Sequence, residues 1–138
     1  MVIEQTYMVK GGDFTHAGDA SSKVKKMLKQ LSVDPRKIKS IVIALYEAEV
    51  NIVAHACEGG IRVFIDSDHI RIILEDKGPG IADIEQAMVE GYSTASREVR
   101  EMGFGAGMGL SNIKRNTDQM EISSTVGEGT TLIMMNYF

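Results

Sequence analysis

A chain of 138 residues, with 15 Lys and Arg set against 19 Asp and Glu for a formal net charge of −4, fits one domain able to bury a core of its own. Its 43% hydrophobic and 25% charged residues exclude a disordered or fibrous chain, and the single cysteine, Cys57, excludes an internal disulfide framework and suits the cytoplasm. No basic surface interleaved with aromatic residues suggests direct nucleic-acid binding; no apolar run reaches the ~20 residues that cross a bilayer, and "MVIEQTYMVKGGD" does not read as a leader, so no membrane role is expected.

"VIEQTYMV", residues 2–9, alternates as a strand does, and "GGDFTHAGDASSKVKKMLKQL" passes from glycine to helical spacing that ends near Leu31, its lysines forming a solvated face. Asp34 and Pro35 then open a long helix, with Asp34 as N-cap and proline at the first helical position. Its apolar residues Ile38, Ile41, Val42, Ala44, Leu45, Ala48, Ile52 and Val53 cover much of its circumference, which predicts burial against a sheet until "CEGG" ends it. "IRVFID" and "HIRIILED", separated by "SD", read as an antiparallel hairpin stopped by "KGPGI". "ADIEQAMVE" reads as a short helix, residues 91–108 as a long irregular segment, and "GLSNIKRNT" as a further helix. "MEISSTV", the turn "GEG" and "TTLIMMNYF" read as a closing hairpin. This order predicts a two-layer α/β sandwich with a mixed sheet rather than a doubly wound parallel one.

Three features carry chemistry. In "EAEVNIVAH", Glu47, Asn51 and His55 stand four apart and share one face of the buried helix, while Glu49 points elsewhere. A carboxylate and a carboxamide on a mostly apolar helix need partners: either a polar cavity or ligand, or neighbouring backbone and water, and spacing alone leaves both open. In "EDKGPGI", Asp76 ends a strand before Gly78 and Gly80. This is a turn, or a carboxylate that accepts from an amino group beside backbone able to approach a flat ring. The third is "GFGAGMGL", with Gly103, Gly105, Gly107 and Gly109 at alternate positions. It has no "GK", which excludes the Walker loop, and Met108 and Leu110 stand where GxGxxG would need its last glycine.

Taken in order, "ExxxNxxxH", "DKGPGI", "GFGAGMGL" and "GEGTTL" resemble the N box, the two glycine boxes and the closing turn of the GHKL ATP-binding superfamily, whose fold is shared by gyrase, Hsp90, MutL and histidine kinases. Within it the chain is similar to the bacterial anti-sigma factor and switch serine-kinase group, of RsbW and RsbT type. The resemblance implies one GHKL-type ATP-binding kinase domain over residues 1–138, an α+β sandwich in which a mostly antiparallel sheet is covered on one face by helices. It implies ATP and Mg2+ as cofactors, with Asn51 as the metal's protein ligand. Asp76, Gly78, Gly80, Ile81 and Thr130 would hold the adenine end. Thr131 is set aside because neighbouring strand residues face opposite ways. Residues 91–109 would form a lid, and Gly105, Gly107, Met108, Gly109 and Leu110 would meet the phosphates where backbone amides open a helix. Glu47 would be the catalytic carboxylate.

The expected function is phosphorylation of a serine on a STAS-type antagonist protein. A sigma factor or another regulator would be bound in competition, transcription thereby regulated, and a homodimer formed through the first strand or helix. The alternative is a nucleotide-dependent partner-binding module, or an ATPase, without protein-kinase activity. A histidine-kinase catalytic domain would need a dimerisation hairpin, and the ~30 residues before the second helix are too short for one.

Overall fold

The computed structural model describes residues 2–89 and 109–138. Strand β1 (Ile3–Lys10) leads through a 3-10 turn (Phe14–His16) into helix α1 (Asp19–Gln30), then α2 (Pro35–His55). Strands β2 (Glu58–Ile65) and β3 (His69–Lys77) follow, then the short α3 (Ile84–Ala87), α4 (Gly109–Arg115), β4 (Gln119–Thr125) and β5 (Gly129–Tyr137).

The sheet order is β1-β2-β3-β5-β4, and each neighbouring pair is antiparallel. The expectation of an α+β sandwich holds, and the expectation of a mixed sheet is corrected. Two helices separate β1 from β2, so the chain returns beside β1 in the opposite direction. Strands β3 and β4 run the same way, but the final hairpin inserts β5 between them, and among the described residues no parallel pair forms.

Asp34 caps α2 as its sequence predicts, its Oδ1 accepting from Arg36 N at 2.8 Å, with Pro35 where a missing N–H costs nothing. The apolar residues of α2 pack on the inward sheet positions Ile61, Val63, Ile70, Ile72, Leu74 and Met134, all buried. Helices α1 and α4 both pack against α2. The helix ends at His55, before "CEGG", and both glycines belong to β2. Gly59 is needed there because a Cβ would come within 2.9 Å of the Ile52 side chain, so the glycine serves helix-on-sheet packing rather than helix termination.

Glu49 is only 2% exposed on this apolar helix. Its Oε2 accepts from Gly18 N at 3.0 Å and Ala20 N at 3.2 Å, and its Oε1 accepts from Ser21 N at 3.0 Å and Ser21 Oγ at 2.7 Å. Gly18, at the N-cap position of α1 with φ 96°, has no side chain to do this. A carboxylate from α2 therefore satisfies the free amides of the first turn and meets the positive end of the α1 dipole. Glu49→Ala should lower stability by about 3 kcal/mol, since buried donors lose a charged acceptor, and Glu49→Gln by less. Urea unfolding midpoints measure both, and an unchanged midpoint for Glu49→Ala would contradict the capping role.

Candidate functional site

The second half of α2, the end of β3, loop 78–83, α3, the start of α4 and the β4–β5 hairpin surround a cavity of about 360 Å3. Its walls are largely apolar, formed in part by Ile52, Leu74, Ile81, Leu110, Ile122 and Leu132. Its polar groups include Asn51, His55, Asp76 and Thr130. An apolar slot with a few convergent polar side chains is the usual form of a small-ligand site.

Asp76 stands one residue before the end of β3, its Oδ1 accepting from Thr130 N at 3.1 Å. Among the described residues its Oδ2 has no hydrogen-bond partner. Burial pushes the Asp76 carboxyl up, and the Thr130 amide offsets this in part. The backbone behind it is stitched tightly: Gly78 N donates to Glu128 O at 3.1 Å and Gly127 N to Pro79 O at 2.9 Å. Gly80 has φ 72°, and a Cβ there would overlap the Thr125 carbonyl; one at Gly129 would overlap the Asp76 carbonyl oxygen. Only glycine lets loop 78–81 and the β4–β5 turn close on each other beside the carboxylate.

Ser124 ties the same parts together, accepting from Ile81 N at 2.7 Å and lying 3.1 Å from Gly129 O and 2.8 Å from the Thr130 hydroxyl. Sequence reasoning missed it. The signal was available, because alternation in "MEISSTV" puts Met120, Ile122 and Ser124 on one face, and a serine among core-facing residues asks for a partner.

On α2, the Asn51 carboxamide makes no hydrogen bond with the protein among the described residues, although the side chain is half-buried and lines the cavity. A Cβ at Gly109 would lie 3.1 Å from both its Oδ1 and Nδ2, so glycine leaves room for that amide. Its free carbonyl oxygen is the hard donor a divalent cation such as Mg2+ accepts. Glu47, one turn earlier, lies outside the cavity's lining. Burial pushes its carboxyl up, and a hydrogen bond from the Asn112 side chain opposes this. Burial pushes His55 down, which keeps it neutral near pH 7.

Of the residues the sequence singles out, Asn51, Asp76, Gly80, Ile81, Leu110 and Thr130 line this one cavity. Gly78 packs behind it against Ala56, Gly109 packs against Asn51, and Glu47 lies beside it. Gly105, Gly107 and Met108 lie outside the described residues, as does most of the expected lid.

Residues 12–136 match the family profile described as the histidine kinase-like ATPase domain. The chain belongs to this family. Among curated relatives it is 36% identical over 113 residues to the "Anti-sigma F factor" of Caldanaerobacter subterraneus subsp. tengcongensis, an alignment covering 78% of this chain and 76% of the relative. It is 34% identical over 124 residues to the "Serine/threonine-protein kinase RsbT" of Bacillus subtilis, covering 87% and 85%. A crystal structure of the RsbU and RsbW domains of Rv1364c from Mycobacterium tuberculosis shares the fold at TM-score 0.60 and 15% identity. That match covers 97% of this chain and 32% of the other. The histidine kinase-like ATPase family is nucleotide-using, and the cavity lies between the motifs by which the sequence resembles it.

Both Glu47 and Asp76 hold a proton more tightly in the folded domain than as ordinary carboxyls, because burial outweighs the hydrogen bonds from Asn112 and Thr130 that oppose it. Their contribution to stability is complete below the ordinary carboxylate pKa and is lost as pH rises through the raised values. Glu47→Gln and Asp76→Asn should therefore raise Tm at about pH 7 relative to wild type and lose that advantage below about pH 4. Thermal scans at the two pH values measure it; an equal gain at both would show that ionisation is not the cause.

Proposed function

We propose that the domain binds ATP with Mg2+ and transfers the γ-phosphoryl group to a serine of a STAS-type antagonist protein in the cytoplasm, regulating a second partner such as a sigma factor by binding it. The observation that carries this reading is the pairing, in one apolar cavity, of the Asp76 carboxylate, with an oxygen unengaged among the described residues, and the Asn51 carboxamide, with Glu47 one turn away. The names of the relatives, one an anti-sigma factor and one a serine/threonine kinase, support both halves of it.

Asp76 accepts a hydrogen bond from the adenine 6-amino group, and the Thr130 hydroxyl, backed by Ser124, steadies the same edge. The glycine-stitched wall admits the flat ring. The Asn51 carbonyl oxygen is the protein's ligand for Mg2+, which when bound neutralises charge on the phosphates. Glu47 accepts the proton of the incoming serine hydroxyl as its oxygen bonds to the γ-phosphorus and ADP leaves. A carboxyl raised by burial is better matched to that task than an ordinary one. Self-association is assigned to the edge strand β1, where Met8 is 76% exposed.

Calorimetry with ATP and Mg2+ tests the site. Asp76→Ala should weaken binding at least about 10-fold through loss of a charge-assisted bond, and Asn51→Ala should remove the Mg2+-dependent part of the affinity. Glu47→Ala should keep ATP affinity within about twofold while cutting transfer to a STAS-type protein about 100-fold. Nucleotide binding by wild type without transfer to any STAS-type protein of its own cells would favour the binding module over the kinase.

A further inference from the structure

Three polar groups surround the Ser124 hydroxyl, and their chemistry fixes the direction of each bond between them. Ile81 N, at 2.7 Å, can only donate; Gly129 O, at 3.1 Å, can only accept; the Thr130 hydroxyl, at 2.8 Å, can do either. Ser124 itself carries one proton. All three contacts are hydrogen bonds only if that proton goes to Gly129 O, so Thr130 must donate its own proton to Ser124 Oγ. The reverse setting, with Ser124 donating to Thr130, would leave two oxygens facing each other at 3.1 Å with no proton between them. Thr130 lines the cavity and Ser124 does not. Toward the cavity Thr130 therefore presents lone pairs, next to the Asp76 carboxylate that accepts from the Thr130 amide.

We propose that Ser124 is a specificity-determining residue for the base: by taking the Thr130 proton it makes Thr130 an acceptor, so that the cavity selects a purine with a 6-amino group over one with a 6-oxo group. The inference rests on the reading of this cavity as a nucleotide site with Asp76 as its acceptor. Asp76 alone does not make the choice. A carboxylate can accept from the 6-amino group of adenine or from the ring N1–H of a 6-oxo purine, and in the second pose the neighbouring O6 needs a donor. A Thr130 hydroxyl free to turn could supply one. With its proton committed to Ser124, Thr130 meets O6 with lone pairs, and the carbonyl loses its water without gaining a bond. An amino group instead brings hydrogens that both acceptors can use. Ser124 thus acts on the ligand through Thr130, without touching it.

The test uses the full chain and calorimetry with ATP and with ITP, which differ in the group at position 6, each in the presence of Mg2+. The readout is the ratio of the two dissociation constants, because a purely structural loss weakens both nucleotides alike and leaves the ratio where it was. Wild type should bind ATP at least about 30-fold more tightly than ITP. Ser124→Ala releases the Thr130 proton, and the ratio should fall about 5-fold or more, whatever the absolute affinities. Ser124→Cys, whose thiol is a weak acceptor of similar shape, should shift the ratio the same way by less, and it serves if the alanine variant folds poorly. Ser124→Thr keeps the hydroxyl and should hold the wild-type ratio within about twofold. Ser123→Ala, on the opposite face of β4, should leave it unchanged. A wild-type ratio in both Ser124→Ala and Ser124→Cys overturns the proposal and leaves Ser124 a purely structural tie, as does wild type that binds ITP as tightly as ATP. Wild type that binds neither nucleotide would instead remove the nucleotide reading of the cavity, and this inference with it.

Discussion

The buried grip of Glu49 on the first turn of α1 determines how the rest of the helical layer is set. An apolar helix lying on an apolar sheet is held along its length by burial, but burial is non-directional and fixes the helix's rotation about its own axis only loosely. The hydrogen bonds from Gly18, Ala20 and Ser21 to one carboxylate are directional, and they fix that rotation. Successive helix residues turn by 100°, so Glu49 is about 200° from Glu47 and from Asn51. Clamping Glu49 toward α1 therefore turns Glu47 and Asn51 toward α4 and the cavity.

The opposite wall of the cavity is set by backbone rather than by side-chain packing. Gly78, Gly80 and Gly129 allow main chain to lie where any Cβ would collide with main chain, and Ser124 bonds the two closed segments together. A ligand entering the slot thus meets one side ordered by a helix rotation and another ordered by carbonyl-to-amide stitching around Asp76. Both walls are held by bonds within the chain, and a site held in that way costs a ligand less ordering on binding.

Much of this was legible in the sequence. The strands and the two long helices follow from periodicity. Asn51 and His55 on the polar face of α2 and the run "DKGPG" identify polar groups of the cavity because their residue types conflict with their surroundings, while Glu47 on the same face lies outside its lining. What could not be read was long-range in origin. Glu47 and Glu49 are both carboxylates on the same apolar helix, and only their neighbours separate them. The acceptor of the α1 amides comes from 31 positions away, while Gly18 gave no local capping signal. The antiparallel order of the whole sheet depends on where β5 inserts, which no local pattern encodes. The four-residue extent of α3, against the nine residues of "ADIEQAMVE", reflects a segment with no buried residue to reward a longer helix.

The three half-buried or buried carboxylates of the site region, Glu47, Glu49 and Asp76, differ in how many donors they receive, and that number separates structural from chemical roles. Four hydrogen bonds saturate Glu49, leaving it no capacity to take part in a reaction. Among the described residues Glu47 receives one donor, from Asn112, and Asp76 one, from Thr130, so within that set each keeps an acceptor oxygen in partial burial, where water cannot fully supply the missing bonds. Such a group raises the energy of the ligand-free domain, which is why its pKa rises. It lowers the energy of whatever complex brings a donor to the free oxygen. An amino or hydroxyl group is a donor of that kind; under the proposed function the adenine amino group and the serine hydroxyl supply it, so the under-supply that weakens the fold at neutral pH favours the complex.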